Sequence, residues 1–134
     1  MRVVLDTSVL IDHLRNGKAS RSAFERLAKE KANIYIPTVV IYELFSGKSS
    51  KNASVEQEIN QLIHNFKIIE LSEKIAKVAG ALYRDIGKTI GTSDYIIAAS
   101  ALEIDAIVVT LNIKHFSQIS HLRVYNFDKQ ILNH

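Results

Sequence analysis

The stretch RVVLDTSVLID, at residues 2–12, changes its hydrophobic spacing part-way along. Its first four residues are mostly β-branched and apolar, which predicts a short strand over residues 2–5. After Asp6, apolar residues recur at helical spacing as far as Leu14, which predicts a helix. A strand that runs directly into a helix is typical of α/β folds.

The rest of the 134-residue chain continues this alternation. Further strands are predicted at residues 34–36, 67–71, 106–109 and 123–127, and further helices at residues 20–31, 38–46, 54–66, 75–86 and 95–102. This order predicts an α/β fold, a three-layer α/β/α arrangement with a central, mostly parallel sheet of about five strands. Without repeats or linkers, residues 1–134 are expected to form a single domain.

Composition excludes several classes of protein. The chain has no cysteine, which excludes disulfide frameworks, thiolate zinc sites and cysteine nucleophiles, and which suits a cytoplasmic protein. No apolar run approaches the roughly 18 residues of a membrane span, and the N-terminus does not resemble a signal peptide. Lys and Arg outnumber Asp and Glu by 17 to 14, which favours a polyanionic partner such as nucleic acid.

Three acidic residues stand at strand-to-helix junctions or in the helix just after a strand. Taken alone, Asp6 and Asp94 are favoured as ordinary helix N-caps or first-turn acids. Glu43 shares a helix face with apolar residues, so its carboxylate is expected to point toward the sheet and to need a partner. That partner is either a bound cation or a basic side chain such as Arg84 or Lys88.

Taken together, the three acids support a metal site more strongly. The carboxyl ends of parallel strands meet at one edge of a sheet, so Asp6, Glu43 and Asp94 are expected to converge there. Three carboxylates repel one another, and hard oxygen ligands of this kind suit Mg²⁺ or Mn²⁺. Such an ion keeps positions open for a phosphate oxygen and an attacking water.

Four motifs along the chain resemble those of one family. They are VLDTSVLID at residues 4–12, IPTVVIYEL at 36–44, IGTSDYIIAA at 90–99 and IVVTLNIKHF at 107–116. In this order they resemble the PIN-domain family, and specifically VapC-type toxin ribonucleases of type II toxin-antitoxin systems. The resemblance covers nearly every predicted element, and it implies a PIN-like fold.

The resemblance also implies an activity, a cofactor and partners. It implies an endoribonuclease that inhibits translation when free, in which Asp6, Glu43 and Asp94 are catalytic and hold Mg²⁺, for which Mn²⁺ could substitute. A small VapB-like antitoxin would cover the active site, and a homodimer is expected. The alternative is a degenerate PIN domain that acts as an RNA-binding or scaffold module.

Other residues are assigned around these acids. The groups expected to bind beside the carboxylates or to orient water are Thr7, Ser8, Thr110 and Asn112. The family often has a fourth acid where this chain has Asn112, and an Asp where it has His115, so one tightly held ion is expected. Candidates for binding the RNA backbone are Arg15, Lys18, Arg21, Lys48, Lys51, Arg84 and Lys88.

Three further expectations can be tested on a structure. Asp12 is expected to be solvated or paired with Arg15. The positions around Phe24 and Leu27, or Phe45 with its loop, are candidate contacts for an antitoxin or a second copy, although such residues are more often core. A phosphatase of the haloacid-dehalogenase type is disfavoured because Ser8 stands where a second Asp is needed, and a phosphoacceptor receiver lacks its paired acids and its lysine.

Overall fold

A computed structural model of the chain describes residues 1–125. Helices and strands alternate along these residues. In chain order the elements are β1 (Arg2–Leu5), α1 (Thr7–Leu14), α2 (Lys18–Lys29), β2 (Asn33–Pro37), α3 (Thr38–Ser46), a 3₁₀ turn (Lys48–Lys51), α4 (Ala53–Ile63), β3 (Lys67–Ile69), α5 (Glu73–Ile86), α6 (Thr92–Glu103), β4 (Ile107–Val109) and α7 (Ile113–Phe116).

The sheet has the order β3-β2-β1-β4, and every neighbouring pair is parallel. The predicted α/β class is therefore confirmed, with four strands in place of about five. Val124, in the predicted last strand, pairs with Val108 only through a single parallel bridge, and residues 126 and 127 lie outside the described part of the chain.

This strand order decides where a ligand can bind. From β1 the chain adds β2 and then β3 on one side, and it later crosses over to place β4 on the other side of β1. Open parallel sheets bind ligands outside the carboxyl ends of the strands where the order reverses. In this chain that point lies between the ends of β1 and β4, beside Asp6 and Thr110.

The core explains why β1 is central. Val3, Val4 and Leu5 are completely buried, as expected for a strand covered by helices on both faces. The small residues Ala98 and Ala101 of α6 are also completely buried, which allows this helix to pack closely on the sheet. Within residues 1–125, no helix has the length and apolar character needed to cross a membrane.

Several sequence-based predictions need correction. Helix α6 begins at Thr92 after the capping residue Gly91, so Asp94 lies in the first turn and is not the N-cap. Helix α7 was not predicted, because four residues are too few to show a helical hydrophobic pattern. Leu27 is completely buried and cannot contact a partner, whereas the exposed apolar side chains include Tyr42 and Leu71.

Candidate metal centre

Asp6 lies at the end of β1, and hydroxyl groups hold its carboxylate. Its backbone has the extended conformation of an N-cap, with φ of −78° and ψ of 155°, yet its side chain makes no capping hydrogen bond to α1. Instead, Oδ2 accepts hydrogen bonds from Ser8 Oγ and from Thr110 Oγ1, both at 2.7 Å. The interpretation of Asp6 as an ordinary capping side chain is therefore wrong.

Glu43 lies on α3 and is half-buried. Thr7 Oγ1 donates to Glu43 Oε1 at 2.6 Å, and Ser93 Oγ donates to Oε2 at 3.1 Å. The alternative of a pair with Arg84 is wrong, because Arg84 binds its neighbour Asp85 at 2.9 Å. No salt bridge joins Lys88 to Glu43 within residues 1–125.

Asp94 completes the set from the first turn of α6. Its side chain is 17% exposed, and its Oδ2 lies 3.3 Å from His115 Nδ1. Burial raises the pKa of Asp94 most, the negative charge of Asp6 raises it further, and Glu43 adds a smaller effect in the same direction, while His115 lowers it. Asp94 is thus close enough to Asp6 and to Glu43 for their negative charges to affect it.

The donor set fits a hard divalent cation. The hydroxyls on Asp6 and Glu43 are neutral, and no Lys or Arg of residues 1–125 lies within salt-bridge distance of any of the three acids. A carboxylate has about four lone-pair positions, so these hydrogen bonds leave some free on each acid. Oxygen donors with uncompensated negative charge are the ligands that Mg²⁺ prefers.

The three carboxylates do not surround a common point at which an ion could bind. Within residues 1–125, no three Asp, Glu or His side chains converge closely enough to hold an ion as they stand. An ion shared by all three acids would therefore require movement of at least one side chain, and the Asp94 carboxylate is partly buried with a single hydrogen bond, to His115, within the described residues.

Comparison with known proteins identifies the family. The family model of the PIN domain matches residues 3–122. This chain belongs to the PIN domain family. It is 30% identical over 124 residues to Ribonuclease VapC19 of Mycobacterium tuberculosis, covering 90% of this chain and 96% of the relative. It is 32% identical over 135 residues to Ribonuclease VapC2 of Rickettsia felis, covering 96% of this chain and all of the relative.

A solved structure extends this likeness to the fold. The chain superimposes with a TM-score of 0.81 on VapBC2 from Rickettsia felis bound to a DNA fragment from their promoter. The two are 29% identical, and the alignment covers 94% of this chain and 98% of the other. The PIN-like three-layer architecture expected from the four motifs is therefore confirmed.

In the structure, Asn112 contacts the site through its backbone, and the role of its side chain beside an ion stays a prediction. The backbone N–H of Asn112 donates to Thr110 Oγ1 at 2.9 Å, while its side chain is exposed and has no hydrogen bond within the described residues. Ser8 Oγ also accepts from the backbone N–H of Leu111 at 3.0 Å. The turn after β4 therefore buttresses the hydroxyls that hold Asp6.

Sequence reasoning missed Ser93 as a partner of the PIN domain acids, and it named His115 without assigning it to the site. Ser93 stands directly before Asp94 in the third motif, and His115 stands in the fourth motif, so both motifs held a signal. The signal was only their place within the motifs. For Ser93 it is easily missed, because a serine at the start of a helix is usually interpreted as a cap.

The basic residues proposed to bind RNA are exposed, and none forms a salt bridge with the three acids within residues 1–125. Arg15 lines a groove of about 400 Å³ that also includes Glu43. Lys18, Lys48 and Lys88 are exposed. Arg84, in its pair with Asp85, is exposed as well. Their role in RNA binding stays a prediction.

Asp12 lies outside the cluster of three acids, and its carboxylate binds the start of α2. Its Oδ2 accepts the backbone N–H of Ser20 at 2.9 Å, in the first turn of α2. This bond lowers the pKa of Asp12 most, and the charge of Arg15 is a smaller cause. A Cβ added at Gly17 would lie 2.1 Å from both carboxylate oxygens, so any larger residue there would displace the Asp12 side chain from this position. Asp12 is half-buried, and within residues 1–125 it forms no salt bridge with Arg15, so the expected pair is not made.

Proposed function

We propose that this chain is a Mg²⁺-dependent endoribonuclease that acts as the toxin of a toxin-antitoxin pair and inhibits translation when free. Relatives named Ribonuclease VapC and a structural neighbour named VapBC2 support the proposal. One observation carries it. Asp6 and Glu43 are each held by two neutral hydroxyls, with no Lys or Arg pairing among the described residues, so their negative charge is kept for a cation.

Asp6, Glu43 and Asp94 would hold the Mg²⁺, and Mn²⁺ could substitute. Bound there, the ion would lower the pKa of a water molecule and offset charge that develops on the phosphate oxygens. The hydroxyls of Ser8 and Thr110 keep Asp6 Oδ2 fixed, and no hydrogen bond within the described chain reaches Asp6 Oδ1. Because Asn112 adds no negative charge, we expect one tightly held ion.

The substrate is proposed to be single-stranded RNA or an RNA loop. The net charge of +3 includes the three clustered acids, so the rest of the surface is more cationic than this number indicates. Exposed residues such as Lys18, Lys48 and Lys88 would bind backbone phosphates, which gives a salt-dependent affinity. An unpaired strand presents its scissile backbone and its base edges more openly than a duplex does.

The proposed antitoxin is a VapB-like protein that covers the groove beside Glu43. Apart from Arg15, Glu43 and Glu58, this groove is lined largely by apolar side chains, namely Ile11, Leu14, Leu44, Val55 and Ile59. Ile11 is 36% exposed, so part of the lining can contact another protein. A segment with apolar residues along the groove and a cation near Glu43 matches this surface. The homodimer also stays a prediction.

Cleavage of a labelled single-stranded RNA tests the activity. We expect the chain free of antitoxin to cleave it with Mg²⁺ and to stop when EDTA is added. Asp6→Asn, Glu43→Gln and Asp94→Asn are expected to abolish cleavage, while Asp12→Asn is the matched control because its carboxylate lies outside the site. Cleavage that persists in EDTA contradicts the metal mechanism. RNA binding without cleavage supports the degenerate-module alternative.

Inhibition by a partner tests the toxin role. We expect a short reading frame beside the gene to encode a protein that stops cleavage at one equivalent per active site. Ile11→Asp is expected to weaken this inhibition and to leave cleavage by the free chain unchanged, because Ile11 lines the groove and binds none of the acids. Equal inhibition of both forms would show that the partner binds elsewhere.

A further inference from the structure

Glu43 is tied to the other two acids through their sequence neighbours. Thr7, which follows Asp6, donates to Glu43 Oε1, and Ser93, which precedes Asp94, donates to Oε2. The two hydroxyls come from the first turns of α1 and α6, which are separate helices. Both oxygens of one carboxylate are therefore held, each by a different helix.

Two hydrogen bonds fix the orientation of the Glu43 carboxylate, whereas one hydrogen bond does not. The terminal torsion of a glutamate joins an sp³ to an sp² carbon and has a broad energy profile, so the carboxylate plane rotates easily. A donor on Oε1 alone fixes one oxygen and leaves the other free to swing. A second donor on Oε2 fixes the plane, which matters for Mg²⁺ because its octahedral geometry is demanding.

Ser93 has no capping role that would account for its hydroxyl. Gly91 caps α6, and no side chain makes a capping hydrogen bond there. In the described chain, Ser93 Oγ hydrogen-bonds to Glu43, while its neighbour Thr92 is exposed and bonds to none of the acids. A neutral donor also leaves the negative charge of Glu43 available, which a lysine in this place would cancel.

We propose that Ser93 is a positioning residue that acts with Thr7 to orient the Glu43 carboxylate for binding the divalent ion. This role rests on the proposed function of the site. Outer-shell partners of this kind typically change metal affinity by about 10- to 100-fold when they are removed. Because Thr7 stays in place, we expect Ser93→Ala to fall at the low end of this range.

Mn²⁺ binding to the intact chain without RNA tests the proposal, with free Mn²⁺ measured by electron paramagnetic resonance. Ser93→Ala is expected to raise the Mn²⁺ Kd about tenfold. Ser93→Thr keeps the hydroxyl and is expected to restore most of the affinity, and Thr92→Ala is the matched control with unchanged Kd. In RNA cleavage at fixed Mg²⁺, Ser93→Ala is expected to lower kcat more than it changes KM for RNA.

The outcomes separate this role from the proposed function. If wild type and Ser93→Ala bind Mn²⁺ equally, or if the variant binds it more tightly, the positioning role is overturned and the metal site stands. If wild type binds no Mn²⁺, the metal site and this role are overturned together. Alanine is a better helix former than serine, so thermal unfolding of Ser93→Ala is expected to match wild type.

Discussion

Asp6 stands directly before α1 and Asp12 lies within it, and their carboxylates have different partners. Asp6 occupies the N-cap position of α1 but its side chain caps nothing, because Ser8 and Thr110 hold it at the edge of the sheet. Asp12 lies inside α1, yet its carboxylate binds the backbone N–H of Ser20 in the first turn of α2. A residue can therefore occupy the N-cap position of a helix without its side chain forming a capping hydrogen bond, and a side chain from another helix can bind the first turn instead.

The partners decide the chemistry of each acid. Asp12 binds an amide at the N-terminus of α2, where the helix dipole already stabilises negative charge, so its role is structural. Asp6 binds hydroxyls that have no net charge, and it lies near Asp94, whose pKa it raises. The negative charge of Asp12 is satisfied by the backbone where α1 meets α2, a junction called here the α1–α2 corner. The negative charge of Asp6, in the proposed metal centre, is uncompensated.

The largest expected effect comes from exchanging these two acids for asparagine. Asp6→Asn is expected to lower RNA cleavage by more than about a hundredfold, the upper bound for an outer-shell partner, without loss of thermal stability, since it removes charge repulsion. Asp12→Asn is expected to keep cleavage and to lower the melting temperature. Cleavage rates and thermal melts of both variants check this. A stable and fully active Asp6→Asn variant would contradict the proposal that Asp6 binds the metal while Asp12 has a structural role.

The contact between Asp12 and the first turn of α2 can be disrupted by a substitution at Gly17, without replacing an acidic residue. Gly17 has φ of −70°, so its backbone would accept alanine, but the new Cβ would overlap the Asp12 carboxylate. We expect Gly17→Ala to push the Asp12 carboxylate away from Ser20, to destabilise the fold by about 0.5–2 kcal/mol, as loss of a helix-capping side chain does, and to leave specific activity unchanged.

A double-mutant cycle sharpens this point. In an Asp12→Ala background the overlap is gone, so Gly17→Ala is expected to cost much less than it does in wild type. Urea unfolding of the four forms measures the coupling. If the effects of the two substitutions on the free energy of unfolding are additive, the added Cβ does not act through Asp12, and the proposed cause of the destabilisation is wrong.

Asp94 provides an intermediate case, since its partner is the imidazole of His115. We expect His115→Ala to weaken Mn²⁺ binding by about tenfold or less, because the bond is long and half-exposed. His115→Asn can place an amide N–H near the position of Nδ1, so it is expected to retain more affinity than alanine. Equal affinities for the two variants would indicate that this contact does not orient Asp94.

The smallest expected effect is the pH dependence of Asp12. Its pKa in the folded chain lies below the ordinary value of 3.8, so the ionised form stabilises the fold above pH 3.8 and this stability is lost as pH falls through the folded pKa. The difference in melting temperature between wild type and Asp12→Asn is therefore expected to be constant near neutral pH and to shrink below pH 3.8. A difference that grows on acidification would contradict the sign of this pKa shift.

The predictions from sequence succeeded where the information was local. The β1–α1 stretch was correct because its hydrophobic spacing alone distinguishes a strand from a helix. Glu43 was expected to be partly buried from the apolar face that it shares, and it is half-buried. The start of α6 was placed too late, because Thr92, Ser93 and Asp94 are all acceptable as caps and only the backbone shows that Gly91 has that place.

The family resemblance correctly placed Thr7, Ser8 and Thr110 beside the acids, but which acid each hydroxyl binds was not accessible from the sequence. The candidate partners of Glu43 were a bound cation or a basic residue, and the structure places the hydroxyls of Thr7 and Ser93 on its carboxylate. Leu27 was offered as a contact surface because an amphipathic pattern shows which face is apolar, but not what covers it. Such errors concern neighbours in space that are far apart along the chain.

The sequence by itself determined the alternation of strands and helices, the acids and hydroxyls available, and, through its four motifs, the family. Only the tertiary structure decided that β4 lies beside β1, which brings Thr110 to Asp6, and that α1 and α6 place Thr7 and Ser93 on Glu43. The reason is physical. Local spacing sets which face of an element is apolar, whereas hydrogen bonds between distant residues depend on the strand order and on how the helices pack.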